Sequence, residues 1–119
     1  MKTYPTSRKN EMSLTLPPAI STYFECSNGA DTAALNNSFS KDAVVLDEGQ
    51  THRGIDAIRA WQHEARTKSE YTVTPVDISH TGERLTVTAE VVGSFPGSPA
   101  RLAHAFVMAG QKIQSLEIH

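Results

Sequence analysis

The strongest constraint on the fold lies in the last fifty residues. From Tyr71 onward, apolar and polar residues alternate at period two, interrupted by turn-forming clusters. Tyr71 to Ser79 reads as one strand, with His80-Thr81-Gly82-Glu83 as its turn. Arg84 to Phe95 reads as a second, with Leu85, Val87, Ala89 and Val91 on one face. Pro96-Gly97-Ser98-Pro99 is a strong turn signal. Arg101 to Met108 follows, with Leu102, His104, Phe106 and Met108 sharing a side. Ala109-Gly110-Gln111 turns the chain into a last strand, Lys112 to Ile118. Such a run predicts an antiparallel meander, which needs something apolar to cover one face.

The first half supplies the cover. Pro17 and Pro18 suit a helix first turn, where a missing N–H costs little. Ile20, Tyr23, Phe24 and Ser27 then recur at helical spacing up to Asn28-Gly29, a plausible stop. Asp31 can cap a short second helix over residues 32–36. Ser40-Lys41-Asp42 reads as a turn, and Ala43 to Asp47 as an apolar strand ended by Glu48-Gly49-Gln50. Thr51-His52-Arg53 reads as a short edge segment. Gly54 opens a third helix with Ile55, Ile58, Trp61, Gln62 and Ala65 along one stripe. Helices segregated from a meander imply α+β: a cone-like curved antiparallel sheet packed on three N-terminal helices. A cavity between such a sheet and its helices is a common ligand site.

Length and charge narrow the class. At 119 residues the chain is one domain. The expected division is a disordered or extended N-terminal leader, residues 1–13, followed by the folded domain, residues 14–119. Lys and Arg number 11 against 13 Asp and Glu, a balance unlike that of a nucleic-acid binder. No stretch has the roughly 20 apolar residues of a membrane span. Cys26 is the sole cysteine, so no intrachain disulfide forms, and a reducing, cytoplasmic setting fits. His52, His63, His80 and His119 lack ligand-like spacing, so no metal site is expected. No phosphate-binding glycine loop or nucleotide fingerprint is present.

Three segments together resemble a known superfamily. They are Tyr23-Phe24 through Asn28-Gly29-Ala30-Asp31, Phe39-Ser40-Lys41-Asp42-Ala43-Val44-Val45, and His52-Arg53-Gly54-Ile55-Asp56-Ala57-Ile58. Their order and spacing resemble the SnoaL-like branch of the nuclear-transport-factor-2-like superfamily, which includes ketosteroid isomerases and polyketide cyclases. The resemblance implies a cone of curved sheet on helices, a homodimer through the sheet, and no cofactor. It also implies proton-transfer chemistry built on a first-helix tyrosine, a first-strand carboxylate base and a second, protonated acid as oxyanion donor. Laid without a gap from Tyr23, the base position falls on Asp47. The second donor position falls near His104, or on Ala103 if the register slips by one. Neither of these is an acid.

The residues themselves point the same way. Tyr23 lies on its helix's apolar stripe, Asp47 shares parity with Ala43 and Val45, and His104 shares parity with Leu102 and Phe106. A carboxylate, a phenol and an imidazole facing one apolar cavity are equipped for proton transfer. Asp47 would remove a proton beside a carbonyl while Tyr23 and His104 hydrogen-bond the developing enolate oxygen. Trp61, Phe24, Ile58, Phe106 and Met108 are the apolar residues expected to wall the ligand. Each assignment has an ordinary counterpart: a satisfied core tyrosine, a solvated turn aspartate, a hydrogen-bonded core histidine. The expected function is therefore binding of an apolar, carbonyl-bearing small molecule by an isomerase, cyclase or lyase; the alternative is a non-catalytic ligand-binding or dimerisation module. Epoxide hydrolysis through two aspartates bracketing an arginine is disfavoured, because Arg101 has the wrong parity relative to His104.

Overall fold

A computed structural model describes residues 15–68 and 70–119. The expected leader, residues 1–13, and the expected domain start at Leu14 lie outside the described residues. Helix α1 spans Pro18–Ser27, with Pro18 in its first turn. Asp31 caps a 3-10 turn, Thr32–Ala34, by accepting from the Ala33 N–H, and this turn runs into α2, Leu35–Ser38. Strand β1 is Phe39–Asp47, β2 is Gln50–Arg53, and α3 is Ile55–Lys68. The remaining strands are β3 (Tyr71–Thr81), β4 (Arg84–Gly93), β5 (Ala100–Ala109) and β6 (Lys112–Ile118).

The six strands form one sheet in the order β2-β1-β6-β5-β4-β3. The sheet is expected to be antiparallel, yet β1 runs parallel to β6, with Val45 opposite Leu116. The sheet is therefore mixed. Alternation fixes which face of a strand is buried but not which distant strand it pairs with. The β1–β6 register slips between Phe39 and Val44. This irregularity explains a second departure: Ser40-Lys41-Asp42, read as a turn, lies inside β1. Ser40 is held there by donating to Gln114 Oε1 at 2.8 Å. Further slips occur at Pro75/Asp77 in β3 and Val107/Met108 in β5. Bulges of this kind bend a strand and sharpen its twist, which curls the sheet around α1 and α3. Pro75 is tolerated because β3 is an edge strand. The turn between β3 and β4 is tighter than expected, with β3 continuing through His80 and Thr81 before Gly82. At the other end of the strand, β4 stops at Gly93, short of Phe95.

The core lies between the concave face and the helices. Ile20, Leu35, Val45, Ile58, Val87 and Phe106 are all fully buried. Each contributes about 2 kcal/mol by removal from water. Two polar fasteners fix α1 over the sheet. The Asn28 side chain donates to the Val73 carbonyl (2.8 Å) and accepts from the Val73 N–H (2.7 Å), imitating one rung of a β-ladder. Arg66 Nη1 donates to the Ser27 carbonyl (2.8 Å) and the Tyr71 carbonyl (2.7 Å), with its guanidinium 4.8 Å over the Tyr71 ring.

Candidate functional site

Between the helices and the open end of the sheet lies a cavity of about 500 Å³, within the range of small-molecule sites. Helix α1 contributes Tyr23 and Ser27, the β1–β2 hairpin Asp47 and His52, α3 Trp61 and Gln62, β3 Tyr71, and β5 Leu102 and His104. Glu48, Gln50, Glu64 and Lys68 stand around the mouth, exposed. The Glu64–Lys68 pair, at 4.0 Å and largely exposed, contributes little to stability.

Asp47 ends β1, where Glu48 (φ 54°) and Gly49 (φ 77°) turn the chain into β2. Both turn residues are left-handed, the geometry of the tight hairpins that match strand twist. The hairpin returns immediately, pairing Asp47 with Gln50, and swings His52 up to Trp61, with ring centroids 5.7 Å apart. Trp61 Nε1 donates to Asp47 Oδ2 at 3.2 Å. Oδ1 has no hydrogen-bond partner among the described residues. Half-burial raises the carboxyl's pKa above the ordinary aspartate value. The Trp61 hydrogen bond opposes this, the Glu48 charge adds to it, and His52 opposes it. Asp47 is thus a held carboxylate in a partly dry site, unlike a solvated turn residue.

Tyr23 is 3% exposed. Its ring lies parallel to Trp61 (6° between planes, centroids 6.4 Å) and edge-on to Phe24 and Phe106. Burial pushes its phenol well above the ordinary tyrosine value; the Ser27 side chain opposes this, and Tyr71 and Asp47 reinforce it. The hydroxyl therefore stays protonated and able to donate. Ser27 Oγ donates to the Tyr23 carbonyl (3.1 Å) and accepts from Gln62 Nε2 (2.9 Å). This buried pair locks the turn of α1 bearing Tyr23 to α3.

His104 is also 3% exposed. Its Nδ1 lies 3.2 Å from the Leu102 carbonyl. A carbonyl only accepts, so Nδ1 carries the hydrogen and Nε2 holds a lone pair. Burial lowers the ring's pKa from 6.5 to about 4, against the favourable backbone carbonyls of Leu102 and Val87. At neutral pH the ring is neutral, with Nε2 as its acceptor, opposite in polarity to a second oxyanion donor.

The structure thus brings Tyr23, Asp47, His104 and Trp61 to one cavity. Phe24, Ile58, Phe106 and Met108 are not among its lining residues. Phe24, Ile58 and Phe106 are buried behind the wall, and Met108 packs half-buried against the core near the turn after β5. The cavity opens only at the Leu102–His104 end of that strand, whereas parity marks its whole inner face. The lining residues that the sequence reading did not assign to the site include Tyr71 and His52. Tyr71 shares inward parity with Val73 and opens β3 against Gly93, a signal that alternation alone carried. His52 had none, since only the hairpin brings it to Trp61. Burial raises the Tyr71 phenol's pKa, with the Arg66 charge opposing.

The SnoaL-like domain family model matches residues 20–116. No curated protein matches the sequence. Among solved structures, a candidate polyketide cyclase of Sinorhizobium meliloti is 38% identical with a TM-score of 0.82, covering 87% of this chain and 95% of that one. A Catenulispora acidiphila protein with a ketosteroid isomerase-like fold, solved with trimethylamine, is 22% identical with a TM-score of 0.76, covering 88% and 86%. A candidate isomerase of the SnoaL-like family from Agrobacterium tumefaciens is 15% identical with a TM-score of 0.70, covering 84% and 92%. The last two share the fold alone. With a family match running from the first turn of α1 into the last strand, the chain belongs to the SnoaL-like domain family of the nuclear-transport-factor-2-like superfamily.

Proposed function

We propose that the cavity binds an apolar small molecule bearing a carbonyl group and moves a proton beside that carbonyl, as a cofactor-free isomerase, cyclase or lyase does. The supporting observation is the Asp47 carboxylate, half-buried and held by Trp61 in the same cavity as the Tyr23 phenol. Tyr23 donates to the substrate's carbonyl oxygen. Asp47 takes the proton from the adjacent carbon, and the electron pair of that C–H bond moves into the enolate. The Tyr23 hydrogen bond strengthens as charge grows on the oxygen, so it favours the transition state over bound substrate. Asp47 then returns the proton to the enolate, at the same carbon or another. The working form is a homodimer through the outer face of the sheet, where Leu46 and Val92 are exposed at 38% and 48%. The buried Cys26 thiol suits a reducing, cytoplasmic setting.

Exchange of the α-hydrogens of α-tetralone in D2O, followed by NMR, tests the reading without knowledge of the natural product. The protein should accelerate exchange, and Asp47→Asn should reduce the acceleration by about 100-fold or more. The asparagine can still accept from Trp61, so the melting temperature should stay within a few degrees. Undiminished exchange in Asp47→Asn removes Asp47 from the mechanism. A non-catalytic binding module is the second reading, favoured by the acceptor His104 where the family resemblance implies a donor. On that reading α-tetralone binds and no exchange is accelerated.

A further inference from the structure

Proton transfer occupies one end of the cavity, where β1 and β2 bring in Asp47 and His52. Three strands across the sheet order, the loop between β4 and β5 brings in Phe95 and Pro96. Ile118 of β6, Leu102 of β5 and Val91 of β4 line the apolar floor between the two ends. Phe95 is half-buried and packs against the core, although β4 has already stopped at Gly93. The loop itself holds it there. Phe95-Pro96-Gly97-Ser98 is a β-turn closed by the Ser98 N–H, which donates to the Phe95 carbonyl at 3.3 Å. Pro96 presets the second position and Gly97, with φ 92°, supplies the left-handed third, the residue pattern of a type II turn. Ser98 Oγ accepts from the Gly93 N–H at 2.9 Å, and the Ser94 N–H donates to the Glu70 carbonyl at 3.2 Å. The loop is thus braced on its own strand and on the residue before β3.

We propose that Phe95 is a specificity-determining residue: it stops the apolar body of the ligand and restricts the cavity to compact carbonyl compounds, the size of a fused bicycle. The cavity volume of about 500 Å³ is in the lower half of the range for small-molecule sites. With the carbonyl oxygen at Tyr23 and the adjacent carbon at Asp47, the rest of the ligand extends over Leu102 and Val91 toward Phe95. A loose loop would yield to a longer ligand. This one does not, because moving it breaks the three hydrogen bonds that brace it. Forcing a further ring against a fixed aromatic side chain is overpacking, which well-packed surroundings resist. A ligand that just reaches Phe95 instead gains by burying apolar area against it. The inference rests on the reading of the cavity as a carbonyl site, which fixes the end of the ligand that meets Tyr23.

The test compares α-tetralone with its homologue carrying a third ring fused linearly to the benzene ring. Binding to the whole protein is followed by the fluorescence of Trp61, the sole tryptophan, and α-hydrogen exchange is recorded for both ketones. The wild type should bind the three-ring ketone about tenfold more weakly or worse, the low end of what overpacking costs. Phe95→Ala should bind it at least as tightly as α-tetralone, since the phenyl group removed is larger than the ring added. Phe95→Leu keeps an apolar anchor on the core and should move the preference in the same direction by less, so the test stands even if Phe95→Ala does not fold. Equal binding of the two ketones by the wild type, or a preference unchanged in whichever variant folds, overturns the inference, while accelerated exchange keeps the carbonyl reading. A size preference that depends on Phe95, without accelerated exchange of either ketone, sustains the inference as ligand selection and overturns proton transfer. Binding of neither ketone by the wild type overturns both.

Discussion

The buried neutral imidazole of His104 makes a quantitative claim about acid stability. In the unfolded chain the ring takes its proton near pH 6.5, and in the native protein only near pH 4. Between these values the unfolded state binds more protons, so folding stability must rise with pH across the window and fall on acidification. Each tenfold difference in proton affinity is about 1.4 kcal/mol. The residue's penalty is therefore negligible above pH 7, about 2 kcal/mol at pH 5, and about 3 kcal/mol at pH 4. Carboxylates titrate in the same range, so the contribution must be isolated by difference. Urea unfolding of the wild type and His104→Phe at pH 7, 5 and 4 does this. The variant loses the hydrogen bond to the Leu102 carbonyl and should be less stable at pH 7. The gap should shrink by about 2 kcal/mol at pH 5 and by about 3 kcal/mol at pH 4. A gap that stays constant with pH would refute the buried neutral ring, and with it the acceptor polarity of Nε2.

Three further outcomes follow from the same geometry. Trp61→Phe keeps a ring beside Tyr23 but removes the N–H that favours charged Asp47. The carboxyl pKa should rise further, and the acid limb of α-hydrogen exchange should move to higher pH; an unmoved limb would detach Trp61 from Asp47. Gly93→Ala should cost 2 kcal/mol or more in urea unfolding, because a Cβ there collides with the Glu70 carbonyl and lies 2.9 Å from Tyr71 Cα. A loss below about 0.5 kcal/mol would show that the start of β3 yields freely. Light scattering should report a dimer of twice the 13.0 kDa chain, and a single-chain mass would contradict the interface proposed on the outer sheet face.

Much of the architecture was legible because it is written locally. Period-two alternation marked β3 to β6, and Pro17-Pro18, Asp31 and Gly54 marked helix starts that the structure retains. The parallel β1–β6 pairing was not legible, since nothing in either strand names its partner across seventy residues. The bulge that keeps Ser40-Lys41-Asp42 within β1 was hidden for the same reason, because three polar residues in a row have the composition of a turn. At the site, parity placed Tyr23, Asp47 and His104 on the inner surface. It could not divide that surface into wall and core, so Phe106 and Ile58 were grouped with Trp61. Nor does a sequence show which nitrogen of His104 carries the hydrogen. That depends on the carbonyl of Leu102 two residues back, whose direction is set by the ladder with β4.

The most direct test of the account is a crystal structure with α-tetralone bound in the cavity. The account predicts the carbonyl oxygen within hydrogen-bond distance of the Tyr23 hydroxyl and the carbon beside it facing Asp47 Oδ1. A ketone bound with its oxygen away from Tyr23, or with Asp47 turned from its α-carbon, would contradict it.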